Sequence, residues 1–329
     1  VKIAINGFGR IGRTLFRLLH HHPNIEIVCI RDLADVKTMA HLLKYDSVHG
    51  PIKGDVYSNE YSILVDGKEF PFISISKTSE VNWSNYQVDV VVECTGTMKS
   101  SKDLQWHVDR GAPKVLLSAP SSGDDVPMIV PGINDNLLKG GEKFVSCASC
   151  TTNSAAPMIQ LLDELCGIES CYITTVHSYT GDQRLHDAPH SDLRRARAAA
   201  LSIVPTSTGA AKALGRVFPH LSDRMGGCGI RVPVPDGSLT DITCIVRQLP
   251  SVEQVNEFFK TAAENRMKGI LQYTEDPIVS VDVIDNSHSC LFDAQLTSVV
   301  GGMVKVVGWY DNEYGYSNRL VDLLVKMGK

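Results

Sequence analysis

The amino-acid sequence predicts an α/β protein of two domains. The first is a doubly wound, mostly parallel sheet, and the second an α+β domain with a mostly antiparallel sheet. Three observations predict this. The 329 residues are long for a single hydrophobic core and suit two. In the first half, short apolar runs alternate with helical stripes, the texture of a parallel sheet covered on both faces. In the second half, longer strand-like segments follow one another with few helices between them.

In order along the chain, VKIAING reads as a strand. FGRIGRTLFRLLHH reads as a helix with Ile11, Leu15, Leu18 and Leu19 on one stripe. IEIVCIRD is a second strand and VKTMAHLLKYD a second helix. YSILVDGKEFPFISIS, residues 61–76, reads as a hairpin turning at Asp66-Gly67. VDVVVECTG and KVLLSAP are short buried strands separated by the helical KDLQWHVDRGA. Beyond SCASCTTNSAAP, residues 146–157, the strand candidates are ESCYITTVHSYT, CGIRVPVP, SLTDITCIVRQL, DPIVSVDVI, SCLFDAQL and MVKVVGWYD. VEQVNEFFKTAAENR is a helix among them, and YGYSNRLVDLLVKMGK closes the chain as another. There is no internal repeat, low-complexity segment or Gly/Ser linker.

Composition narrows the function classes. A hydrophobic share of 43% and a charged share of 21% are those of an ordinary globular protein. A formal net charge of -5 argues against a nucleic-acid-binding surface. No apolar run approaches the length of a membrane span, and VKIAINGFGR lacks the apolar stretch of a signal peptide. Nine cysteines, odd in number and without tight regular spacing, suit free thiols in a reducing compartment, so a cytoplasmic location is expected. His20-His21-His22 at a helix end reads as a solvated run, and no metal site is expected.

Gly7-Phe8-Gly9-Arg10-Ile11-Gly12 follows a strand and opens a helix, the context that a dinucleotide-binding fingerprint requires. Glycines make that turn tight and bring backbone N–H groups to a pyrophosphate at the positive end of the helix. Asp32 ends the next strand, where a carboxylate accepts from both ribose hydroxyls of NAD and repels the extra phosphate of NADP. A neighbouring arginine, Arg31, can accommodate that phosphate. Alternation along the strand points it away from the face of Asp32, so NAD is expected, with some NADP use left open.

Cys147 and Cys150 pose the central question of the second half. A metal site needs a second pair of ligands, and the other cysteines are scattered singly apart from the loose spacing of Cys166 and Cys171. Cys150 lies after a strand and near a helix start, where the dipole and free N–H groups favour thiolate. Met158, Leu161, Leu162 and Leu165 give that helix its buried face, while Pro157 predicts a late start or a kink. A nucleophilic cysteine needs a base. His177, at the end of the strand in TTVHSYTGDQR, is the candidate.

NGFGRIGR, ASCTTN, HSYTGDQR, STGAAKA, RVP and WYDNEYGYSNR, in this order and over the whole chain, resemble phosphorylating glyceraldehyde-3-phosphate dehydrogenase. The resemblance implies oxidation of D-glyceraldehyde 3-phosphate to 1,3-bisphosphoglycerate with NAD and inorganic phosphate, a step of glycolysis and gluconeogenesis. Cys150 would be the nucleophile and His177 the base. It implies a substrate-phosphate set of Thr180, Asp182 and Arg231, and an attacking-phosphate set of Ser149, Thr151, Thr208, Gly209 and Arg197. On the cofactor side it implies Gly7, Gly9, Arg10, Ile11, Asp32, Thr95, Gly96, Ser118, Asn312 and Tyr316. It further implies an NAD-binding domain of residues 1–149 and 312–329, a catalytic domain of 150–311, and a homotetramer in which the Gly181–Ala200 loop packs between subunits.

The chain departs from the commonest family pattern at several positions. Cys147 replaces asparagine, Ser154 a second cysteine, Arg31 asparagine, and Ala188 a leucine frequent in NAD-preferring members. Asp236-Gly237-Ser238 stands for Asn-Val-Ser. Cys147 and Cys150 could pair reversibly under oxidant. Two alternatives accompany the main reading: erythrose-4-phosphate dehydrogenase, against which Tyr179-Thr180-Gly181-Asp182 argues, and a non-catalytic NAD-binding scaffold.

Overall fold

The computed structural model describes residues 1–74 and 81–328. The chain forms two compact units, one of Val1–Ile129, Asp135–Ala148 and Ser317–Lys329, the other of Val130–Asn134 and Ser149–Tyr316.

The first unit runs β1 (Lys2–Asn6), α1 (Arg10–Leu19), β2 (Glu26–Asp32), α2 (Val36–Lys44), β3 (Val56–Ser58), β4 (Ser62–Val65) and β5 (Lys68–Ser74). It continues with β6 (Val90–Glu93), α3 (Ser101–Val108), β7 (Lys114–Leu117) and β8 (Phe144–Ser146). The sheet order is β3-β4-β5-β2-β1-β6-β7-β8. From β5 to β8 all pairings are parallel, and β3, β4 and β5 pair antiparallel. Ile3, Ile5, Val91, Val92, Val115 and Leu116 are fully buried, as strands covered on both faces require. Leu15, Phe16 and Leu19 are the buried face of α1, and Phe16 meets Phe8 and Phe70 edge to face at 5.8 and 4.8 Å.

Local signals decide the ends of these elements. Asp35 caps α2 through Thr38 N–H, and Ser100 with Asp103 makes a capping box on α3. Asp66 and Gly67 both have positive φ, at 51° and 79°, as a tight hairpin turn demands. The end of the expected hairpin, Ile75 and Ser76, lies outside the described residues. Because β1 lies between β2 and β6, the connections leave it in opposite directions. The carboxyl ends of β1 and β6 therefore form the crevice where a doubly wound sheet binds its ligand.

The second unit runs α4 (Cys150–Cys166), β9 (Ile168–Ser178), β10 (Val204–Thr206), α5 (Ala210–Val217), β11 (Met225–Val232) and β12 (Ser238–Val246). Then come α6 (Val252–Glu264), β13 (Leu271–Thr274), β14 (Cys290–Asp293), β15 (Ser298–Val300), β16 (Met303–Tyr310) and the start of α7 (Tyr314–Met327). Its sheet order is β10-β11-β9-β12-β16-β14-β13, with β15 on β16. It is mostly antiparallel, with β9/β11 and β13/β14 parallel.

Two sequence expectations are corrected. DPIVSVDVI is not a strand: Ser280–Val283 is one 3₁₀ turn, tied by Asp282 accepting from Val279 N–H at 2.8 Å. Val279 and Val281 are exposed there and only Val283 reaches the core, so the β-branched run pairs with no strand among the described residues. Helix α4 begins at Cys150 and passes through Pro157, without the late start that proline suggested. Proline removes one backbone hydrogen bond, and a helix buried along most of its length absorbs that loss through packing. The sequence reading did not name α5 or the short strands β3, β10, β13 and β15.

The closest approach of a glycine to backbone in the first unit gives a test. A Cβ on Gly12 would lie 2.2 Å from the Gly7 carbonyl oxygen, a backbone atom with no freedom to yield. Gly12→Ala should destabilise by about 1–3 kcal/mol, read as a lower unfolding midpoint, and should weaken dinucleotide binding at the same time.

Candidate active site

In the second unit, two elements aim the reactive pair. The chain leaves β8 through Ala148, which holds a left-handed φ of 58°, and turns at once into α4 with Ser149 as its N-cap. Cys150 is thus the first residue of the helix. Strand β9 carries His177 at its carboxyl end, and Cys150 Sγ lies 3.4 Å from His177 Nε2. On the parallel neighbour β11, Arg231 is in register with His177. Its guanidinium donates to the Ser178 carbonyl at 2.9 Å and lies 2.7 Å from His177 Nδ1.

Ser178 O is also 2.8 Å from Nδ1, so the ring has two arrangements. With Nδ1–H donated to that carbonyl, the Nε2 lone pair faces the thiol. With Nδ1 accepting from Arg231, Nε2–H faces it instead. The two arrangements are what a base and an oxyanion donor need, respectively.

Electrostatics keep the pair neutral at rest. Burial pushes the Cys150 thiol up to about 11, although Arg231 and the Thr151 N–H pull it down. The helix start, expected to favour thiolate, is opposed here by desolvation, the largest of the effects on this thiol. Burial and then the Arg231 charge press His177 down to about 3. Tyr310 is buried beneath, its hydroxyl 2.9 Å from both Thr151 Oγ1 and Thr175 Oγ1.

The residues expected to hold phosphate are not all alike. Asp182 pairs with Arg195, and Arg195 also donates to Thr206 Oγ1 at 2.9 Å and to the Ser207 carbonyl at 3.4 Å. The Arg195 charge reaches both His177 and Arg231, and the charge of Asp182 reaches Arg231. Thr180, between Ser178 and Asp182, accepts at its backbone carbonyl from Gln183 N–H. Thr208 Oγ1 accepts from Ala210 N–H, and Gly209 is the N-cap of α5 with no side chain to cap it, leaving backbone N–H groups for an anion.

Ser149 Oγ caps α4 at Thr152 N–H, and the Thr151 hydroxyl is held inside by Tyr310. Arg197 is not part of this group. It is exposed and pairs with Asp187 at 2.9 Å, so the arginine of the cluster is Arg195. Three arginines within four positions of an aperiodic loop gave no sequence signal to choose among them.

Asn312 follows β16. Its Oδ1 accepts from Ser178 Oγ at 2.8 Å and Ser238 Oγ at 2.7 Å, which leaves the amide nitrogen to donate outward. Its N–H donates to Asp236 Oδ1 at 3.3 Å. Asp236 is fully buried beside Asp311 and Glu313, and burial and those like charges raise its carboxyl to about 8. Tyr316 lies buried on the first turn of α7. Neither Ser178 nor Ser238 was given a site role from the sequence, because their partner lies far along the chain.

The cofactor set lies largely in the first unit. Gly7 has a φ of 96°, and a Cβ there would meet Thr95 N at 2.7 Å. A Cβ on Gly9 meets nothing within 4 Å, so the surface over the start of α1 is open where a pyrophosphate would approach backbone N–H groups. Gly9 caps the helix without a side chain, and Ile11 is in its first turn. Arg10 reaches sideways to Asp46 at 2.5 Å. Asp32 is fixed at the end of β2 by Phe8 N–H at 2.6 Å and Ala34 N–H at 3.0 Å. Thr95 and Gly96 turn beside Gly7, and Ser118 Oγ donates to the Glu93 carbonyl at 2.9 Å. Arg31 points inward, nearly fully buried, and donates to Asn6 Oδ1 at 3.0 Å. It is therefore unavailable to a 2′-phosphate. This set of open glycine, uncapped helix start and fixed carboxylate fits NAD.

Comparison with known proteins bears on both units. Residues 1–101 match the family described as glyceraldehyde 3-phosphate dehydrogenase, NAD binding domain, and residues 149–312 match its C-terminal domain. The chain is 51% identical over 332 residues to glyceraldehyde-3-phosphate dehydrogenase of Thermotoga maritima, covering 99% of each. It is 47% identical to that of Mycobacterium avium, over all of this chain and 99% of the relative. It is 48% identical to glyceraldehyde-3-phosphate dehydrogenase 2 of Streptomyces avermitilis, over all of this chain and 98% of the relative. With a cysteine–histidine pair in the one unit and a dinucleotide cradle in the other, this chain belongs to the glyceraldehyde-3-phosphate dehydrogenase family.

Proposed function

We propose that the chain oxidises D-glyceraldehyde 3-phosphate to 1,3-bisphosphoglycerate with NAD and inorganic phosphate. The observation that carries this is the 3.4 Å approach of Cys150 Sγ to His177 Nε2 beside two arginines. Cys150 attacks the aldehyde carbon as His177 Nε2 takes the thiol proton. The resulting imidazolium then donates Nε2–H to the new oxyanion of the thiohemiacetal. NAD, when bound, supplies the two-electron acceptor that converts this adduct to a thioester. A phosphate oxygen attacks the thioester carbon, the Cys150 sulfur leaves, and His177 returns the proton.

The separation of charges favours these roles. Arg231, with Thr180 and Asp182, suits the substrate phosphate. Engagement of an anion offsets the Arg231 charge, which after burial is the second cause holding His177 down, and so moves the base toward competence. Arg195, Ser149, Thr151 and the Thr208–Gly209 start of α5 suit the attacking phosphate, with Arg195 in the role first expected of Arg197. Asn312 offers only donors outward, which matches a carboxamide oxygen of the nicotinamide. The unit of Val1–Ile129, Asp135–Ala148 and Ser317–Lys329 would be the NAD-binding domain and the other the catalytic one, close to the expected 1–149 with 312–329 and 150–311.

Leu185, Leu193, Leu201 and Ile203 are 69 to 82% exposed within one long loop and its continuation. That apolar display supports a homotetramer in which this loop is covered by other subunits. No helix of the described residues is long and apolar enough to cross a membrane. The described cysteines are all free, which supports a cytoplasmic location.

NADH formation from the triose phosphate should depend on both NAD and inorganic phosphate, with erythrose 4-phosphate a poor replacement. Turnover independent of phosphate would overturn the reading. Cys150→Ser should abolish turnover while leaving NAD binding intact, and His177→Asn should lower kcat by about 10²–10⁴-fold.

The two arginines of the loop should separate cleanly. Arg195→Leu should raise the KM for inorganic phosphate by about tenfold or more, the loss of a charge-assisted contact, whereas Arg197→Leu should stay within about twofold of wild type. Equal losses would return Arg197 to the site.

The thiol gives a pH test. Iodoacetamide should alkylate Cys150 with a rate still rising above pH 8, following a thiolate that forms near 11. Arg231 favours the thiolate, so Arg231→Gln should move this profile to higher pH and slow alkylation at pH 8. A shift to lower pH would reverse the assigned sign.

A further inference from the structure

One buried carboxylate lies outside the roles described above. Glu93 ends β6 and is fully buried, in the middle of the first unit, where a lone charge would be costly. Every oxygen of its side chain is engaged. Oε1 accepts from Thr95 N–H at 2.8 Å and from the Thr95 hydroxyl. Oε2 accepts from Asn6 Nδ2 at 2.5 Å and lies 3.0 Å from His107 Nε2. Asn6 in turn takes the Arg31 guanidinium on its Oδ1 at 3.0 Å, and the Arg31 charge is coupled to that of Glu93. The carboxyl ends of β1, β2 and β6 are thus joined by side chains as well as by the sheet.

These strand ends carry the two loops of the cradle. Gly7 N–H donates to the Arg31 carbonyl at 2.8 Å, and Cys94 N–H to the Asn6 carbonyl at 2.7 Å. The missing Cβ of Gly7 is what lets the glycine turn rest on the Cys94–Thr95 peptide, at 2.7 and 2.8 Å from where that atom would be. Glu93 holds Thr95 through two hydrogen bonds, and only a glycine at position 7 lets the two turns pack this closely.

We propose that Glu93 is a positioning residue for the dinucleotide: it holds the Thr95–Gly96 turn against the glycine turn, with Arg31 and Asn6 as its inner support. Arg31, where the family commonly has asparagine, then serves the protein interior and contributes nothing to recognition of a 2′-phosphate. The inference rests on the reading of the first unit as the NAD-binding one.

The test is calorimetric titration of the full-length wild type, Glu93→Gln, Thr95→Val and the double variant with NAD and with ADP-ribose, which shares the adenosine and pyrophosphate. Glu93→Gln keeps the shape but places an amide donor against donors, and should weaken both ligands about tenfold. If Glu93 acts through Thr95, the double variant should lose no more than the worse single one, since coupled partners are not additive. In turnover of Glu93→Gln, the KM for NAD should rise while kcat at saturation stays within about twofold. Additive losses, or unchanged affinities in a folded Glu93→Gln protein, would overturn the inference alone. A wild type that binds neither ligand would overturn the cofactor reading and this inference with it. Arg31→Gln should leave the ratio of NAD to NADP affinity unchanged, and a fall in NADP binding alone would place Arg31 at the ligand.

Discussion

The chemistry depends on the register between two parallel strands. Because β11 pairs with β9 so that Arg231 stands opposite His177, a fixed cation lies 2.7 Å from the inner ring nitrogen while the outer one faces Cys150. A slip of one residue would send either side chain to the other face of the sheet. The same cation favours thiolate on the cysteine and disfavours imidazolium on the histidine. Burial opposes both charged forms, and it is the larger effect for each residue. The resting pair is therefore neutral, poised for an anionic substrate to alter the balance.

Around this pair, the second unit spends its buried polar groups on orientation. Tyr310 ties Thr151 at the start of α4 to Thr175 on β9, so the helix carrying the nucleophile and the strand carrying the base are joined beneath the site. Ser178 and Ser238 hold the carbonyl of Asn312 inward. Each contact satisfies a group whose burial would otherwise be costly, and each also settles which atom a ligand would meet. The first unit does the same with Glu93, whose neighbours belong to three strand ends.

Much of the fold was legible from local pattern. Wherever a hydrophobic period was sustained, as in α1, α6, β9 and β12, the element appears. The strand expected at DPIVSVDVI did not form, because β propensity is realised on a paired strand and this segment has none among the described residues. Of the site, Cys150, His177 and the glycine turn could be named from motif and context. The choice of Arg195 over Arg197 could not, because it rests on which guanidinium the folded loop carries back to Thr206 and Asp182.

What the sequence determined by itself was composition of the parts: the glycine turn with its acidic partner, a cysteine at a helix start, and a histidine at a strand end. These are short-range facts, written within a few residues or one strand–helix unit. Tertiary structure alone decided their states and their partners. It put Arg231 on His177, turned Arg31 inward to Asn6, closed Tyr310 over Thr151 and, by burying the Cys150 thiol, opposed its ionisation. The physical reason is that desolvation and charge depend on everything packed within several ångströms, and those neighbours come from segments 25 to 159 residues away in the chain.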